Sequence, residues 1–198
     1  MINRDEALKF LNESIENKNI VKHMLATEAM MRALARELKV QSEKLKVTEE
    51  INEDEWGMAG LLHDGDYNPN VSVEKQGVMV TETLRGKGYE IPENVAHAMA
   101  AHNWHNTGVK PLNCMDWALF CGDSLTGLIV AGTLVLPSRK LADLTVESVL
   151  KRYKEPSFAR GTRREEIAMC EEKLGIPLLE FVQIVLGAMQ GASNELGL

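Results

Sequence analysis

The sequence is poor in cysteine, proline, aromatic residues and long apolar runs. It has three cysteines (Cys114, Cys121 and Cys170) and six prolines in 198 residues, with 5% aromatics. An odd, sparse cysteine set with no close pair excludes a disulfide scaffold and a zinc ribbon, and points to a reducing compartment. The longest apolar run, Leu125 to Leu136, holds two Gly and two Thr. At about 12 residues it falls short of the roughly 20 that a membrane-spanning helix needs. The first residues, Met1-Ile2-Asn3-Arg4-Asp5-Glu6, are charged and lead into an amphipathic pattern, unlike a signal peptide. The expectation is a cytoplasmic chain with no membrane partner. Apolar residues at 44% and charged residues at 26% suit a globular protein, and this length can bury a sizeable core without a disulfide or metal.

Positive charge is also scarce, and it is unevenly placed. The net charge is −7. Between Arg139 and Arg164 there are eight basic residues against three acids, a net of +5 that leaves −12 for the rest. An acidic body argues against general nucleic-acid binding. The basic segment is a solvated helical face or a place for a phosphorylated small molecule.

Strand-type alternation is missing, and helix signals recur, so the expected class is all-α. Asn3/Glu6, Asn52/Glu55 and Asn113/Asp116 have the capping-box spacing. These predict helices into Ile15, to His63 and to about Leu136. Others are expected over Asn19–Lys39, Ser72–Arg85 and Pro92–Trp104. Thr162/Glu165 opens one ended by Gly175, and Pro177 starts the last. Asp64-Gly65-Asp66-Tyr67-Asn68-Pro69-Asn70 reads as a loop. One domain over 1–198 is expected, with a core of about 18–136 and a C-terminal helical extension of about 137–198. The segment 137–161 reads as the connection between them. The apolar stretch Leu178 to Met189 packs internally or against a second copy, making a homodimer. The ten methionines read as core filler.

Five residues invite a chemical reading. His63-Asp64 stands where an apolar helix ends in a loop, and His23 lies among Ala and Leu on a helix. Asp123 sits inside the most apolar helix, where an ionised carboxylate needs a partner or a metal. Two imidazoles and two carboxylates suit Fe, Mn, Co, Ni or Zn better than calcium. The fifth is Asp66, two residues beyond Asp64 and a candidate proton carrier. His97 and His105 read as structural or exposed.

The order His23 … His63-Asp64 … Asp123 resembles the HD superfamily of metal-dependent phosphohydrolases. The phrases Ala59-Gly60-Leu61-Leu62-His63-Asp64 and Ala118-Leu119-Phe120-Cys121-Gly122-Asp123-Ser124-Leu125 carry the likeness, as does Ala98-Met99-Ala100-Ala101-His102-Asn103, over about residues 20–130. The resemblance implies an HD-domain helical bundle with additional C-terminal helices. It implies one divalent transition metal held by His23, His63, Asp64 and Asp123. The implied reaction is hydrolysis of a phosphate ester, often in a nucleotide, by metal-activated water, with Asp64 as a catalytic residue. The family's His-Asp-apolar-Gly run is here His63-Asp64-Gly65-Asp66, and that departure makes Asp66 a second catalytic candidate. His102, Arg163 and Arg164 are candidate binders of the substrate phosphate. Members with two metals carry further histidines; here Gln76 and Asn103 stand at two of those places, which disfavours a second metal and di-iron oxygen chemistry. The alternative is a non-catalytic or regulatory helical binding module on the same fold.

Overall fold

A computed structural model describes residues 1–45 and 50–198 of the chain, and every described element is helical. The first helices are α1 (Arg4–Ser14), α2 (Lys18–Leu45) and α3 (Glu53–Leu62). Next come α4 (Met79–Gly86), α5 (Glu93–Ala101), α6 (Trp104–Thr107) and α7 (Cys114–Leu134). The C-terminal part is α8 (Val146–Tyr153), α9 (Arg164–Ala168), α10 (Cys170–Leu174), α11 (Leu178–Gly191) and α12 (Ser193–Leu196).

Helix α7 is the axis of the fold. Helices α2, α5, α8, α9, α10 and α11 all pack on it. It is buried on nearly every side, from Met115 and Asp116 through Phe120, Cys121 and Leu125 to Thr133. By length and composition α7 is apolar enough to cross a membrane, and 61% of its most apolar window is buried inside the bundle. One core cluster takes in residues from Ile2 to Leu196, so the C-terminal helices share it with the first ones. In particular α11 turns Phe181, Val182, Val185 and Leu186 inward against α2, α7 and α8. Its apolar face is therefore used within the chain.

Two glycines bring the site-bearing helices together. A Cβ at Gly60 would come within 2.7 Å of the Thr27 carbonyl, so only glycine lets α3 close on α2 here. A Cβ at Gly122 would collide with the Met30 sulfur, so glycine does the same for α7 on α2. Thr27 is one turn beyond His23, Gly60 is three residues before His63, and Gly122 adjoins Asp123.

The capping boxes at Asn3 and Asn113 form as expected, and Asn52 caps α3 through the backbone N–H groups of Asp54 and Glu55. Three expectations are corrected. The helix expected from Ser72 begins only at Met79, after a single 3₁₀ turn at Val73–Lys75. The break is at Gly77, whose φ of +86° is left-handed. The segment 137–161 is more than a connection, because it holds α8, capped by Thr145. Thr162 caps nothing; Arg163 occupies the N-cap of α9, which makes no side-chain cap bond.

Candidate metal centre

Each histidine of the centre is held by its Nδ1 and presents its Nε2. His63, fully buried where α3 ends, has Nδ1 2.8 Å from the Gly60 carbonyl. A carbonyl only accepts, so Nδ1 carries a proton, and in the neutral ring Nε2 is the nitrogen with the lone pair. His102, at the end of α5, is fixed the same way by the Met99 carbonyl at 2.5 Å. His23 on α2 places Nδ1 3.1 Å from Thr126 Oγ1. The Thr126 hydroxyl donates to the Asp123 carbonyl at 2.8 Å and so accepts from His23. Outer partners of this kind select the tautomer in which an imidazole can ligate a metal.

The free nitrogens meet the two carboxylates. His23 Nε2 lies 2.8 Å from Asp123 Oδ1 and 3.3 Å from His63 Nε2. His63 Nε2 is 3.6 Å from Asp123 Oδ1 and 3.5 Å from Asp64 Oδ2. The other oxygen of Asp64, Oδ1, is 3.5 Å from His102 Nε2. Ligand bonds of about 2.0–2.2 Å place donors around one ion roughly 3–4 Å apart. The donors here fall within 4.8 Å of one another in two overlapping sets: His23, His63 and Asp123, and His63, Asp64 and His102. These buried His/Asp groups are able to hold a metal ion. Comparison with protein-family models, curated proteins and solved structures finds no match.

The electrostatics favour ionised carboxylates. Burial pushes Asp64 up, but His63 and His102 outweigh it and bring its pKa down to about 2. Burial likewise opposes ionisation of Asp123, and the hydrogen bonds from His23 and His63 hold it well below the usual carboxylate range. His63 and His102 are desolvated, which disfavours their cations, yet both are raised by the neighbouring aspartates.

The remaining sequence candidates divide. Arg163, 36% exposed, brings Nη2 to 3.3 Å from Asp123 Oδ2. It lines a cleft of about 450 Å³ over the centre, with His23, Asp64, Asp123, Tyr67 and Arg160. His102, expected to bind substrate, belongs to the second donor set. Asp66 is spent elsewhere. Its carboxylate accepts from the backbone N–H of Gly77 at 2.9 and 3.0 Å and of Val80 at 2.8 Å, stapling the loop to the start of α4. Arg164 is also spent, donating to the carbonyls of Tyr153, Glu155 and Phe158 at 2.7, 2.9 and 2.7 Å and closing the end of α8. Two residues of the site carry no motif: Thr126, three residues after Asp123 and hence on its face of α7, and the buried Glu166 beneath Arg163. Glu166 Oε2 is 2.9 Å from Arg163 Nε, and Oε1 is 3.4 Å from His105 Nε2.

Proposed function

We propose that the protein is a metal-dependent phosphohydrolase with an HD-type centre, acting on the phosphate ester of a small molecule. The observation that carries this is the tautomer control. Three imidazoles, each with Nδ1 tied to an acceptor, turn their second nitrogens toward Asp64 and Asp123. A cluster built only for packing would have no reason to protect those three lone pairs in one place.

His23, His63 and Asp123 would hold the ion, with Asp64 beside them through His63. A bound divalent metal supplies Lewis acidity, easing deprotonation of a water and offsetting phosphoryl charge. The chain supplies the rest. Arg163 and Arg160, on the rim of the cleft, present cations to phosphoryl oxygens. Asp64 stays ionised, and Oδ1 keeps His102 Nε2 oriented. Asp66 and Arg164 have no part in the chemistry under this reading, since their polar atoms serve the backbone.

A single ion fits better than two. Both donor sets need the one free nitrogen of His63, whose Nδ1 is engaged with Gly60. That geometry stands against an oxygen-activating pair of irons.

The test is metal analysis after reconstitution with manganese, iron, cobalt, nickel or zinc, followed by a panel of phosphate esters. The expected result is about one ion per chain, phosphate release, and loss of both in Asp123→Ala. A protein that takes up none of these metals overturns the proposal. A protein that binds metal and turns over nothing is the binding module instead.

A further inference from the structure

A second cavity of about 520 Å³ adjoins the metal cleft, and the two share His23 and Gly127 as lining residues. Their floor is one stripe of α7. Asp123, Gly127, Val130 and Leu134 recur at i, i+4, i+7 and i+11, which places them on a single helix face. The stripe starts at a candidate ligand and runs about 16 Å along the axis, at 1.5 Å per residue. At the shared edge stands Gly127, where an added Cβ would meet nothing within 4 Å. No packing demand explains a glycine there, and a large side chain at this position would project into the space that both cavities border. Further out the floor becomes Val130 and Leu134, the latter 50% exposed. Leu196 and Gly197 form one wall, and Asn19 and Lys22 from the start of α2 form the rim.

We infer that this groove takes the organic group of the ester, and that the substrate is a phosphate monoester of a largely apolar alcohol. The inference rests on the phosphohydrolase reading and narrows its substrate. Two features select the class. The groove borders, at His23 and Gly127, the cleft where Arg160, Arg163 and the His/Asp donors would receive the phosphoryl group, close enough for one molecule to reach both. Among the described residues that line it, the polar side chains besides His23 are those of Asn19 and Lys22. A sugar or nucleobase in a water-poor pocket needs several convergent donors and acceptors, whereas an alkyl or aryl group needs only apolar walls. The open side at Leu134 lets the group extend along α7.

Calorimetry with non-hydrolysable probes on the manganese-loaded protein tests this. Methylphosphonate reports the phosphoryl subsite, hexylphosphonate adds the apolar chain, and a nucleoside 5′-phosphonate offers the polar alternative. Hexylphosphonate is expected to bind at least about tenfold more tightly than methylphosphonate, since each buried methylene contributes. In Gly127→Phe, which fills the shared edge, and in Leu134→Glu, which makes the floor polar, that ratio is expected to fall to about one. Metal content and the helical circular-dichroism signal show that each variant is folded. Equal affinities in the unaltered protein overturn the inference and leave the phosphohydrolase reading standing. So does a preference for hexylphosphonate that survives in both variants, or a nucleoside phosphonate that binds more tightly. A metal-loaded protein that binds none of the three overturns both.

Discussion

Helix α7 carries two aspartates two turns apart, and each faces a histidine. His23 Nε2 is 2.8 Å from Asp123 Oδ1, and His97 Nδ1 is 2.9 Å from Asp116 Oδ2. The pairs look alike and do different things. Asp116 is the third residue of α7, where backbone N–H groups have no partner within the helix. The same Oδ2 accepts from Leu112 and Asn113 at 2.8 and 3.3 Å, completing the capping box. Asp123 lies mid-helix, where every N–H is already used. Its carboxylate is therefore left for His23, His63 and Arg163. A histidine–aspartate pair is a candidate site only where the backbone makes no prior demand on the carboxylate.

The largest expected difference comes from removing each aspartate in turn. Asp123→Ala is expected to lose stable metal binding, and turnover by a factor of about 1,000 or more if the ion supplies the chemistry. Asp116→Ala is expected to keep the metal and to lose roughly 1–3 kcal/mol of stability, from the cap and from a buried partner left unpaired. Metal content by mass spectrometry and urea unfolding separate the two. If Asp116→Ala also sheds the ion, the division between the pairs is wrong.

A smaller effect is expected one step out from the centre. Thr126→Val preserves shape but removes the oxygen that accepts from His23 Nδ1. With nothing fixing the tautomer, metal affinity is expected to drop about 10- to 100-fold while the fold persists. A chelator titration measures it, and an unaltered affinity would falsify the role given to Thr126.

The loop repeats the lesson two residues apart. Asp64 faces imidazoles, whereas Asp66 faces the N–H groups of Gly77 and Val80, so Asp66→Ala is expected to spare the metal and cost about 1–2 kcal/mol. Equilibrium denaturation gives the cost, and metal analysis must show the ion still present.

What could be read in advance follows the same rule. The helical class was legible, because periodicity and caps are written along the chain; the motif order singled out His23, His63, Asp64 and Asp123, but not their division into two donor sets that share His63 and draw in His102. The fate of Asp66 was not legible, since it depends on Gly77 taking a φ of +86° eleven residues later. Arg164 and Arg163 are adjacent and chemically identical. Only the fold decides that one closes α8 and the other meets Asp123. Helix α8 is legible in principle, because Val146, Val149, Leu150 and Tyr153 have helical spacing behind the cap Thr145; Pro137 before it, Pro156 and Gly161 after it, and the basic charge are the signals of a connection that compete with that pattern. Thr126 offered no signal of its own, as a threonine in an apolar helix usually bonds back to its own backbone.

Glu166 gives the most delicate test, because its one contact with a residue of the cleft is with Arg163. It is 2% exposed, beside the Arg163 guanidinium at 2.9 Å. Burial raises its carboxyl from 4.5 to about 7; Arg163 opposes the rise, and Asp123 and Glu165 add to it. Because the folded pKa lies above the unfolded one, the native chain holds more protons than the unfolded chain between those two values. Stability is therefore expected to fall as pH rises through that window, and to be level on either side of it. Glu166→Gln removes this slope, an effect on the order of 1 kcal/mol once screening by nearby solvent is allowed for. Unfolding in chelator at several pH values, with both proteins side by side, isolates it, since the histidines and aspartates of the centre titrate in each. Parallel curves for the two proteins across the window would mean that Glu166 stays ionised beneath Arg163. Arg163 would then be held by a full ion pair and less able to turn toward Asp123 and the cleft.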